Sequence, residues 1–173
     1  MTFLITLGDY AEAQAGARVQ HFASQSIFEW HEWKYRVWFD TDTWFFSRTF
    51  PYGIEHIHAA SEDFDEVARW ATVMIGSIAR EDSKFSPITL PAGPEGIAPG
   101  WQTVFVEPRR GQLITPKGQT LSLMMKDHPK KLTRLAAYTH IAGLSPEEIL
   151  EAYSASSPAG HMAQFVVALG GRE

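Results

Sequence analysis

Residues 44–61, WFFSRTFPYGIEHIHAAS, decide how this chain is read. Aromatic residues alternate with polar ones up to Phe50. Pro51 and Gly53 then stand where a tight turn wants one fixed φ and one free residue, and a second alternating run follows. That is a hairpin of two strands, 43–50 and 54–59. Working outward, eleven of the 22 aromatic residues fall between Phe28 and Tyr52. Their density places two more strands at 25–31 and 34–39, with DTDT (40–43) as the joint before 44, so the belt reads as an antiparallel meander.

The following segment, SEDFDEVARWATVMIGSIARE (61–81), has the spacing of a helix. Phe64, Val67, Ala68, Ala71, Met74, Ile75 and Ile78 recur on one face. Ser61 is the expected cap, and Glu62, Asp63, Asp65 and Glu66 favour the positive end of the helix dipole. Residues 86–100 hold four prolines and three glycines, so an irregular crossover is expected, pinned by Ile88, Leu90 and Ile97. Three strands are expected in WQTVFVE, QLIT and QTLSLMM, then helices in 128–143 and from Ser145, where Ser145, Pro146 and Glu148 supply cap, first helical residue and capping-box partner. At the N-terminus GDYAEAQAGARV reads as a short helix with Asp9 as cap and Gly16 as stop. The apolar patch Phe3–Leu7 is too short for a membrane span and lacks the basic flank of a signal peptide. Strands in runs favour an α+β fold, one domain over 1–173 with an antiparallel sheet, a long central helix and a C-terminal helical pair.

Composition excludes several functions. There is no cysteine, so disulfides, thiolate metal sites and cysteine nucleophiles are absent, and a cytoplasmic location is favoured. A net charge of −5 argues against nucleic-acid binding and permits a basic partner. Phosphate-loop, dinucleotide, EF-hand, nucleophile-elbow and HExxH motifs do not occur.

Each candidate for chemistry has a plainer reading beside it. In a strand His56 and His58 share a face and could hold a metal with His31 or Glu55, or serve simply as structural histidines. Trp30 and Trp33 could offer a ligand platform or fill a core, and Trp38 and Trp44 flank a turn as a possible cross-strand pair. Asp40 and Asp42 could bind a hard cation or only shape a turn. Arg109 and Arg110 mark a solvated hairpin tip. Arg48 falls on the apolar face of Trp44, Phe46 and Phe50, so it either stacks on an aromatic ring or projects from the strand end.

The order of elements, AGARV before the aromatic strands, SRTFPYGIEHIHAAS leading into the long helix, and LAAYTHIAGLSPEEILEAYSASSPAGH near the end resemble the immunity proteins that neutralise NAD-hydrolysing necrotizing toxins of actinobacterial type VII secretion systems. The resemblance spans most of residues 8–161. It implies a non-enzymatic antitoxin, monomeric when free and needing no cofactor, whose partner is a cognate toxin domain. It also implies a loop that enters the toxin's substrate cleft and blocks NAD. Ser47, Arg48, Phe50, Pro51, Tyr52 and Gly53 are the residues onto which that role carries. The stretch after Ser-Arg is often more charged in that family, and TFPYG here bears on which toxin is met. The alternative is a small-ligand or enzymatic domain using the aromatic sheet with His56 and His58.

Overall fold

The computed structural model describes residues 2–30 and 32–167. The elements run α1 (Thr2–Ala15), β1 (Arg18–His21), β2 (Gln25–Trp30), β3 (Trp33–Asp40), β4 (Thr43–Thr49), β5 (Glu55–Ser61), α2 (Phe64–Asp82), β6 (Gln102–Glu107), β7 (Arg110–Ile114), β8 (Thr120–Lys126), α3 (Thr133–Thr139) and α4 (Pro146–Ser154). The fold is α+β. All eight strands form one antiparallel sheet in the order β1-β2-β3-β4-β5-β8-β7-β6.

The helices line one face of this sheet. α1 packs on β1 and β2, α2 on β4 and β5, and α3 on β7 and β8, while α4 lies against α2. Phe28, Tyr35, Val37, Phe46, Leu113, Leu123 and Met125 are buried between sheet and helices. Gly76 leaves room for α4 to pack on α2, since a Cβ there would come within 2.7 Å of the Tyr153 ring.

Several expectations need correction. α1 begins at Thr2, not at Asp9, because Phe3, Leu4 and Leu7 are its buried face and continue one stripe with Ala11. α2 is capped by Asp63, whose side chain accepts the Asp65 N–H. Ser61 instead ends β5. β1 was not foreseen, because four residues of RVQH at a sheet edge carry too little apolar pattern to register. Trp38 and Trp44 are not a pair. The two-residue turn at Thr41 and Asp42, both at positive φ, aligns Trp38 with Phe45 and Phe39 with Trp44. A shift of one residue puts the tryptophans on opposite faces. Between α2 and β6 the chain forms a 3-10 turn at Pro94–Gly96, with Ile88 buried and bridged to Val166, and Leu90 and Ile97 packed on the core. The Ser145 capping box forms in full.

Arg80, at the end of α2, is 1% exposed. Its guanidinium donates to the carbonyls of Ser86, Ala152, Tyr153, Ala155 and Ser156. The last turn of α4 leaves carbonyls without helical partners, and this single side chain meets them while also fixing the start of the crossover. Arg80→Met should lower stability by roughly 3 kcal/mol or more, because several buried carbonyls would lose their donors. Urea melts check this, and a loss below about 1 kcal/mol would show that water replaces the guanidinium.

Candidate functional site

The hairpin between β4 and β5 projects from the sheet. The Phe50 carbonyl accepts the Gly53 N–H (2.9 Å) and the Phe50 N–H donates to the Ile54 carbonyl (3.1 Å). Gly53 takes φ +80°, a conformation a side chain at this position would strain. Pro51, Tyr52 and Gly53 are exposed, and Tyr52 is 92% so.

The base of the tip is rigid. The Phe50 ring meets Trp33 edge to face at 5.3 Å, and His56 at 5.2 Å from its other neighbour strand. The Arg48 guanidinium lies 3.5 Å over the Trp33 ring and near Phe50 and Tyr35. Arg48 therefore takes the stacking alternative, half-buried, rather than projecting into solvent. Ser47 is fully buried and donates to Glu55 Oε1 at 2.6 Å, while Arg36 pairs with the same carboxylate at 3.1 Å. Ser47 thus braces the hairpin from beneath and presents no surface of its own. A bulge opposite Phe46 and Ser47 leaves His58 of β5 without a partner on β4, so alternation alone could not place the two histidines. Arg48, opposite Tyr35, keeps the aromatic face that alternation gives it.

The two histidines diverge in environment. His56 Nδ1 accepts from Lys126 Nζ at 2.8 Å. His58 is buried against Phe46 with Nδ1 unpartnered. Burial first, then the charges of Arg134, Arg48, Lys126 and His56, hold its pKa down at about 3. His31, the expected helper, lies outside the described residues, and among those residues no three His, Asp or Glu side chains gather as a metal site. Trp30 and Tyr35 pack edge to face in the core, which assigns Trp30 to packing.

Two contributors carried no local signal in the sequence. Asp127, buried at the corner between β8 and α3, accepts the N–H groups of His128, Thr133, Arg134 and Leu135. It caps α3 from six residues away, where Leu132 in the left-handed region has no side chain to do so. That corner holds Arg134, whose Nη1 donates to the Lys126 carbonyl at 2.8 Å. An Asp-x5-Thr spacing is too ordinary to mark a cap.

The His58 environment makes a pH prediction. Folded, it binds a proton only near pH 3; unfolded, near 6.5. Between those limits the unfolded chain holds the extra proton, so His58 lowers stability as pH falls through that window. From pH 7 to 5 the loss from this group is up to about 2 kcal/mol. His58→Leu should lose correspondingly less over the same interval in denaturant melts. An identical pH slope in both proteins would mean that His58 is protonated in the fold.

No helix among the described residues is long and apolar enough to cross a membrane. A search of curated protein sequences finds no match. Among solved structures, Rv3902c from M. tuberculosis superposes with a TM-score of 0.68 over 88% of each chain. At 16% identity that likeness speaks for the fold. The family description "Immunity protein 61" matches residues 13–161, from the end of α1 through every strand to the segment after α4. The chain belongs to the immunity protein 61 family.

Proposed function

We propose that this protein binds and inhibits a cognate toxin through the hairpin tip Arg48–Gly53, occluding the toxin's active site without chemistry of its own. Membership of an immunity-protein family supports an antitoxin role with a toxin as protein partner. The observation that carries the tip as the contact is the exposed Tyr52 held on a Pro-Gly turn over a packed aromatic base. A large ring presented on a rigid support loses little entropy on docking, which is what interface anchors require.

The finer reading follows the sequence resemblance: the target is an NAD-hydrolysing toxin, neutralised in the cytoplasm, and the free inhibitor is a monomer without cofactor. A narrow tip with an aromatic end and a guanidinium at its base suits a substrate cleft built to hold a nucleotide. Ser47 contributes by holding Glu55, and Phe50 by seating the turn.

Titration calorimetry with the toxin domain tests this. Tyr52→Ala should weaken binding by about 2 kcal/mol or more while melting as the parent does. Arg48→Ala should in addition lower stability by about 1 kcal/mol, because its cation–π stack on Trp33 is lost. Parent-like affinity of Tyr52→Ala would place the interface elsewhere.

A further inference from the structure

Beyond the tip, β5 and β8 part, and two open clefts lie in the gap. The first, about 460 Å³, is lined by Glu55, His56 and Ile57 on one side and by the β6–β7 turn with Lys126 on the other. The second, about 310 Å³, shares Arg109 and Lys126 with it and continues past Lys131 and Arg134. The chain is acidic, at −5. Cations nevertheless converge here, and the nearby carboxylates are already engaged. Glu55 is held by Arg36 and Ser47, Glu107 lies 3.5 Å from Arg110, and both Asp127 oxygens accept backbone N–H groups. Among the described residues, Arg109, Lys126, Lys131 and Arg134 form no ion pair. Burial, and then the charges of Arg134, Arg109 and Arg110, lower the Lys126 pKa, so the cluster repels itself as it stands.

We propose that this double cleft receives carboxylate side chains from an acidic segment of the protein partner, forming one continuous interface with the tip. Charge complementarity carries the assignment: Arg109, Lys126 and Lys131 form no ion pair among the described residues and are placed to donate to carboxylates, while Asp127 offsets the charge of Arg134 only in part. The clefts are open along the surface, which suits side chains presented by a protein. Ile57, half-exposed in the first cleft, adds an apolar contact. Phe50 touches His56 and His56 accepts from Lys126, so cleft and tip are joined through contacting side chains. The partner's identity as the toxin rests on the function proposed above; its acidic chemistry rests on the cleft.

The test titrates the intact protein by NMR with a hexaglutamate peptide and, in parallel, with sodium pyrophosphate. The peptide should saturate, shift the amides around Arg109, Lys126 and Lys131, and weaken steeply with added salt. The double variant R109E/K131E, changing two exposed residues, should lose peptide binding by at least about tenfold with unchanged melting, whereas R18E at the far sheet edge should not. Toxin-domain affinity should fall in the same variant. Tighter binding of pyrophosphate than of peptide, shifts scattered over other faces, or full binding by R109E/K131E would each overturn the assignment. A parent that binds the peptide as described but no toxin domain would count against the toxin reading and leave the acidic-segment cleft standing.

Discussion

Two residue pairs, Ala59 with Met125 and Ala60 with Met124, join the two runs of strands into one sheet. So short a seam supplies few backbone bonds, and a buried carboxylate reinforces it. Glu66, in the first turn of α2, accepts from Ser61 of β5 at 2.6 Å and from Ser122 of β8 at 2.8 Å. The Tyr138 hydroxyl of α3 donates to the Glu66 carbonyl at 3.1 Å. One residue thus ties both sides of the seam to helices that cover them. The positive end of α2 favours its charge, and hydroxyl bonds to a carboxylate are stronger than neutral ones.

The shortness of the seam also shapes the surface. Past Ala59 the bulged β5 turns away toward the hairpin tip, while β8 ends at Lys126 and the Asp127 corner. The gap between them is the basic cleft, and the tip stands at its end. Structure and proposed contact therefore share a cause: a sheet that closes at its middle and opens at one side. Net charge conceals this, since −5 averages an acidic body with a local cluster of cations.

What the sequence made legible is what neighbouring residues decide among themselves. The Pro51–Gly53 turn, the stripe of α2 and the Ser145 capping box depend on residues within one or two turns of each other. The contributions of Arg80 and Glu66 were hidden, because their partners lie up to 76 residues away and helices commonly carry charges like theirs. Asp127 acts within eight residues, but across a loop and from outside the usual cap position. Arg48 was narrowed to two alternatives, and only the position of Trp33 on the neighbouring β3 decides between them. Ser47 carried over by resemblance as a contact, yet its burial under Glu55 makes it a brace. The tryptophan pairing failed by one residue, the smallest error that exchanges faces.

Hydrogen exchange on Glu66→Ala measures most directly whether this seam holds the sheet together. The amides of Ala59, Ala60, Met124 and Met125 should lose protection by a larger factor than those of β3 and β4, while the meander stays folded. Equal loss in both regions, or none at the seam, would contradict the account and show that backbone pairing and packing alone join the two halves.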